Sequence, residues 1–254
     1  MLKEFYRIMR ASGLFPARGL GIVAGLVLCL GTYAAYYYPQ FQQAGDVSTA
    51  IAQFYATAIS LEVVWIGTLV ALPLLLIIRE LMVWPRYKHP FSSAGATLFG
   101  IFYVTIPLAL LPWVVQGPAG YDYRRVICLL FLIWASDIGA YVAGKTLGRH
   151  KLAPNISPGK TWEGWAGGAL LTFVIAWACG MFIPDLSLTH RLVAAGVVAV
   201  FGPLGDLAES MLKRSAGVKD SGTFLPGHGG LLDRFDAFLL VLPVLALLQL
   251  LAGR

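Results

Sequence analysis

Apolar residues along this chain come in long unbroken runs, and polar residues are confined to short stretches between them. Seven runs stand out, at about 19–38, 61–78, 94–116, 126–144, 165–183, 191–205 and 236–252. A helix that crosses the hydrocarbon core of a bilayer needs about 20 mostly apolar residues. Lipid offers no hydrogen bonds to the backbone, so runs of this kind are expected to be helical. Aromatic residues mark several of the predicted ends: Tyr36, Tyr37 and Tyr38, then Trp84, Trp113, Trp162 and Trp165. Trp and Tyr favour the headgroup level, which supports those ends. The sequence shows neither an internal repeat nor a low-complexity linker. The pattern predicts an all-α, polytopic membrane bundle of about seven helices, forming one domain over residues 1–254.

Composition agrees, with 58% hydrophobic and only 13% charged residues, where a soluble domain carries roughly a quarter charged. The net charge of +6 would hint at nucleic acid in a soluble protein, but here the positions of the cations account for it, and no nucleic-acid partner is expected. Lys3, Arg7, Arg10 and Arg18 precede the first run. Arg79, Arg86 and Lys88 follow the second. Lys145, Arg149, Lys151 and Lys160 follow the fourth. Lys213, Arg214, Lys219 and Arg234 follow the sixth. The opposite side keeps Arg124, Arg125, Arg191 and Arg254, only four of the 19 Lys and Arg. By the positive-inside rule the N-terminus is cytoplasmic. Residues 1–18 are polar and basic and the first run is too long for a secretory core, so no cleavable leader is expected. Cys29, Cys128 and Cys179 each lie inside an apolar run, as small buried apolar residues do.

Carboxylates are few, and their positions are informative. Asp137 falls inside the fourth run, where an acid faces a wet cavity or bonds to a neighbouring helix. Glu62, at the start of the second, is read as interfacial. Asp206 and Glu209 follow the sixth run, and Asp233 and Asp236 begin the seventh. Helical spacing places Asp206, Glu209 or Ser210, and Lys213 on one face, and Asp233 and Asp236 on another. Two acidic helix ends joined by a basic, glycine-rich loop suit a hard divalent cation such as Mg²⁺ together with a polyphosphate. Farther back, Ser157, Lys160 and Thr161 offer a cation and two hydroxyls just ahead of a helix start, which suits an anion. Ser136, Ala140 and Gly144, and likewise Gly164 and Gly168, form stripes of small residues expected to pack helix on helix. An ordinary cytoplasmic loop with charges paired among themselves would also fit the composition of 206–236. It is the order of the residues that argues against it.

That order is Ser210, Leu212, Lys213, Arg214, then Lys219, Asp220, Gly222, then Leu225, Pro226, His228, Gly229, Gly230, Leu231, and finally Asp233, Arg234, Phe235, Asp236. It resembles the signature of the phosphatidate cytidylyltransferase (CDP-diacylglycerol synthase) family. A second stretch, from Trp134, Ser136 and Asp137 through Lys145 to Ser157, Pro158, Gly159, Lys160, Thr161, Trp162, Glu163 and Gly164, resembles that family's other polar region. The resemblance is strong over about 125–252 and general before it, where Glu4 to Arg10 looks like the polar linker that follows further spans in members of the family. It implies a bacterial inner-membrane enzyme, its active site facing the cytoplasm, that transfers the cytidylyl group of CTP to phosphatidic acid. It leaves room for a homodimer.

Carried onto this chain, the resemblance gives Asp206 and Asp233 to Mg²⁺, with Asp236 and Asp220 as further candidates. It gives Lys213, Lys219 and these four aspartates to catalysis, and Ser157, Lys160, Thr161, Ser210, Arg214, His228, Gly229, Gly230, Arg234 and Asp137 to CTP and its phosphates. His228 orients a phosphate, closes the glycine loop, or serves as a turn residue. The rival readings are another CTP-dependent membrane enzyme, such as a CDP-archaeol synthase or a polyprenol kinase, and a transporter. The last is disfavoured because no repeat is visible and the acids gather at one side.

The cation pattern generates a labelling test. In a chain lacking its native cysteines, Cys at position 157 or 221 should react with an impermeant thiol reagent from the cytoplasmic side, and Cys at 48 or 187 from the other. Labelling of 221 from outside contradicts the orientation.

Overall fold

The computed structural model describes residues 1–43, 60–86, 88–117, 120–222 and 229–252, the side chains of 36–43 and 61 excepted. A short helix, α1 (Leu2–Ala11), comes first, then α2 (Arg18–Gln43) and α3 (Leu61–Val83). The fourth rod, α4, runs as Pro90–Gly100, a π-helical turn at Ile101–Thr105, and then Ile106–Ala109 and Leu111–Val114. After the two-residue strands β1 (Gln116–Gly117) and β2 (Gly120–Tyr121) come α5 (Tyr123–Leu147), an antiparallel hairpin of β3 (Lys151–Ala153) and β4 (Ser157–Thr161), and α6 (Trp162–Ala178). Helices α7 (Leu188–Ser215) and α8 (Leu232–Leu251) complete the bundle. Among the described residues seven helices, α2 to α8, are long and apolar enough to cross a membrane. The fold is therefore all-α and polytopic.

The sequence pattern finds all seven but shortens some. Helix α7 runs on well past 205, and α8 begins ahead of 236. Charged side chains end an apolar run without ending a helix. Here they are accommodated within it, Lys213 bridging back to Glu209 one turn earlier. The helix stops at Gly217, whose φ of +67° suits glycine, while Val218 donates back to the Lys213 carbonyl at 3.0 Å. Ahead of α6, Ser157, Lys160 and Thr161 lie on the second strand of a hairpin.

Surface and interior are inverted relative to a soluble protein. Large apolar side chains such as Leu69, Leu81 and Leu170 stand outward, as a lipid-facing surface requires. What holds the rods together is close backbone approach. A Cβ at Gly139 would lie 2.7 Å from the Gly167 carbonyl oxygen, one at Gly164 2.8 Å from that of Ala140, and one at Gly168 2.6 Å from that of Ser136. The small-residue stripes are thus the α5–α6 seam. Pro203, inside α7, cannot donate to the Ala199 carbonyl. The Trp165 indole of α6 does so instead, at 2.9 Å. At the other membrane face Asp122 caps α5 (Arg124 N–H, 3.0 Å). The Arg124 guanidinium beside Asp122 holds its carboxyl below the usual carboxylate range.

Helix α1 was not anticipated, since its basic residues dominate a linear reading. Phe5, Tyr6, Ile8 and Met9 form one buried face, packed with Val104 of α4 and Leu232 and Leu239 of α8. The Tyr6 hydroxyl donates to the Thr97 carbonyl at 3.0 Å, and burial pushes its phenol above the ordinary range.

The seam gives a stability prediction. Gly168→Val drives side-chain carbons into the Ser136 carbonyl and should cost about 1–3 kcal/mol, the usual range for overpacking. Gly67→Ala, with open space around it, should melt within a degree or two of the parent. Equal melting of the two variants in detergent would contradict the seam.

Candidate active site

Three elements carry the polar end of the bundle: the hairpin leading into α6, the C-terminal half of α7, and the start of α8. Gly205 lets α7 and α8 touch, since a Cβ there would lie 2.5 Å from the Asp236 carbonyl oxygen. Two ion pairs result. Lys160, at the end of β4, meets Asp206 at 2.6 Å and donates to the Pro203 carbonyl at 3.3 Å. Ser210, one turn on, donates to the other Asp206 oxygen at 3.2 Å. Asp137 and Asp236 lie near enough to Asp206 to interact with it electrostatically, and Lys160 acts on both. Asp137 is exposed at the surface of the chain.

The second pair is more enclosed. Lys213 lies 2.6 Å from Asp233 and 2.6 Å from Glu209, whose side chain is 1% exposed. The first Asp233 oxygen is taken by Lys213. The second accepts three donors: the Ser221 amide (3.1 Å), the Ser221 hydroxyl (2.7 Å) and the Gly230 amide (2.7 Å). Gly229 completes this turn at φ +81°, and a Cβ there would lie 2.8 Å from the Asp233 oxygen. Glycine is required on both counts.

The other expected residues divide. Ser157 is half-buried at the head of β4, and Thr161 is buried, its hydroxyl accepting from the Gly164 amide at 3.1 Å. Thr161 therefore caps α6 in this structure. Arg214, Lys219, Asp220 and Arg234 are exposed around the α7–α8 connection. His228 and Ser48 lie outside the described residues. Ser221 is fully buried, so Lys219 beside it is the better labelling position. Glu163 accepts from the Arg149 amide at 3.1 Å and faces the His150 ring at 2.5 Å, tying the hairpin to α6.

Three participants escaped the sequence reading. The π-helical turn of α4 brings Tyr103 toward the acids: its hydroxyl is buried without a hydrogen-bond partner among the described residues, and it interacts electrostatically with Glu209, Asp236 and Asp206. π-Turns recur at functional sites, but nothing in a linear apolar run announces one. The other two are Glu4 and Arg7 of α1. Glu4 accepts from the Leu231 amide at 2.9 Å and the Leu232 amide at 2.8 Å, and Arg7 donates to the Ser221 carbonyl. The spacing of Phe5, Tyr6, Ile8 and Met9 was the available signal for that helix.

A family model described as the cytidylyltransferase family matches residues 1–251, well beyond the motif-bearing stretch. The phosphatidate cytidylyltransferases of Staphylococcus saprophyticus and Staphylococcus epidermidis are each 39% identical over 173 residues, 68% of this chain and 65% of theirs. That of Staphylococcus aureus strain COL is 37% identical over 188 residues, 74% of this chain and 70% of its own. The chain thus matches a little under two thirds of the length of the first two relatives. With the match running from α1 through both polar regions to the end of α8, the chain belongs to the cytidylyltransferase family.

Proposed function

We propose that this protein transfers the cytidylyl group of CTP to phosphatidic acid, giving CDP-diacylglycerol and pyrophosphate. One observation carries the reading: the ordered motif residues Lys160, Asp206, Lys213 and Asp233, drawn from three separate stretches, fold into two cation–carboxylate pairs at one end of a membrane bundle. The names of the staphylococcal relatives support the same activity. The cation pattern supports a cytoplasmic site, and the bacterial relatives support the inner membrane.

In the proposed reaction a phosphate oxygen of phosphatidic acid attacks the α-phosphorus of CTP, the bond to the β-phosphate breaks, and pyrophosphate leaves. The nucleophile is already an anion, so the protein need supply no strong base. Its work is positioning and neutralising charge. Lys160 and Lys213 stand ready among the carboxylates, and the exposed Arg214, Lys219 and Arg234 give the triphosphate further cations.

Among the described residues no three His, Cys, Asp or Glu gather closely enough to cage a metal. Magnesium, however, is commonly held by one or two carboxylates together with substrate phosphates, and the oxygen-only donors here fit that habit. Asp206, 42% exposed in its side chain, is the readiest ligand, with Asp236 close by. Asp206 also has both oxygens engaged, by Lys160 and Ser210, but Asp233 is only 14% exposed and takes four hydrogen bonds from the described residues, so its contribution is first to the fold of the loop; Asp220 stands exposed beyond α7. When bound, magnesium would supply neutralisation of the triphosphate.

The test is product analysis. Purified protein given labelled CTP and Mg²⁺ with phosphatidic acid, a geranylgeranylated glycerol phosphate or a polyprenol should label the first, forming CDP-diacylglycerol and one equivalent of pyrophosphate. Labelling of either other lipid alone would replace the assignment with the corresponding rival.

A further inference from the structure

Helix α8 has no side-chain cap of its own: Leu231 occupies its N-cap position and makes no side-chain bond there. The exposed first amides of a helix need acceptors, and here they come from the far end of the chain. Glu4 spreads its two oxygens over the Leu231 and Leu232 amides, at 2.9 and 2.8 Å. Three residues on, and so on the same side of α1, Arg7 donates to the Ser221 carbonyl. Space has been left for the carboxylate. A Cβ at Gly222 would lie 2.5 Å, and one at Gly230 2.8 Å, from the same Glu4 oxygen.

Helix α1 can act as a fixed point because it is itself held. Phe5 and Tyr6 are fully buried, and the Phe5 ring lies 6.0 Å from that of Tyr103. Ser221, which Arg7 grips, orients Asp233 by its amide and hydroxyl, and Gly230, next in the chain to the Leu231 that Glu4 grips, orients it by its amide. A continuous path of contacts runs from α1 through Ser221 and Gly230 to Asp233, and from there to Lys213.

We infer that Glu4 and Arg7 are positioning residues for the nucleotide end: they clamp the two chain segments on either side of residues 223–228 and thereby fix the Asp233–Lys213 pair. This rests on the activity proposed above.

The experiment uses the full chain in detergent with Glu4→Ala, Glu4→Gln and Arg7→Ala. Amide exchange over 229–232 is read with no substrate present, and kcat and KM are measured separately for CTP and phosphatidic acid. Glu4→Ala should speed exchange at Leu231 and Leu232 and lower kcat/KM for CTP about 10-fold, the scale of a lost cap. KM for phosphatidic acid should stay within twofold. Glu4→Gln, which keeps one acceptor, should fall between, and Arg7→Ala should also lower kcat/KM for CTP. Unchanged exchange in Glu4→Ala overturns the clamp, and so does faster exchange with undiminished kcat/KM for CTP. An equal loss for both substrates that tracks a lower melting temperature would make Glu4 merely structural and also overturns it. If the parent protein makes no CDP-diacylglycerol, the proposed activity fails and with it the positioning role, while the exchange result still reports whether the contacts exist.

Discussion

Among the described residues four hydrogen bonds converge on the carboxylate of Asp233, and the polar end of the protein depends on them. One oxygen meets Lys213; the other gathers the Ser221 amide and hydroxyl and the Gly230 amide. A carboxylate is costly to take out of water unless its lone pairs are filled, and this one is filled by donors from three separate pieces of chain. It joins the last turn of α7, the bend after it and the first turn of α8. Lys213 is in turn shared with Glu209, so a single cation serves two enclosed acids. Enclosed pairs of this kind are weak evidence for stability. What this one achieves is a defined arrangement: removing Lys213 strands two enclosed acids, and removing Asp233 releases Ser221 and Gly230 from their shared acceptor.

Lipid imposes the second constraint. With no water at depth, every backbone group displaced from the helical pattern needs a partner inside the protein. The Trp165 indole answers the Ala199 carbonyl that Pro203 leaves open, which binds α6 to α7 just above Lys160 and Asp206. Glycines on α5 and α6 allow their backbones to meet, and this seam holds the hairpin and its Lys160 in place against α7. The geometry of the site therefore follows from apolar packing some turns away from it.

Much of this could be read from the residues in order. The seven spans appear because a lipid-facing helix must be apolar along its length, and the seam because only small residues permit such close approach. Asp206, Lys213, Asp233 and Asp236 are legible because their spacing is helical and their setting is not. The rest depended on partners distant in sequence. Glu4 reads as one charge in a basic leader until α8 comes to rest upon it, 227 residues on. Thr161 reads as a phosphate ligand, and only the fold shows that its hydroxyl also caps α6. Tyr103 lies in an apolar run, and only the fold shows it, within the π-helical turn, near enough to Glu209, Asp236 and Asp206 to interact with them. The division between Asp206 and Asp233 was also invisible, since in sequence both are simply acids near helix ends.

The proposed reaction turns on that division: Asp233 organises the loop, and Asp206 is the residue proposed to take a metal with CTP. Turnover measured against Mg²⁺ concentration in Asp206→Asn and Asp233→Asn tests it, with Asp185→Asn, an exposed partner of Arg124 at 3.2 Å, as the control for a lost surface pair. Asp206→Asn should recover much of its activity as Mg²⁺ rises. Asp233→Asn should stay about 10²–10³-fold slow at every concentration, the scale of a lost electrostatic partner in a preorganised site. An Asp233→Asn protein with near-normal turnover, or one rescued by Mg²⁺ just as Asp206→Asn is, would contradict it.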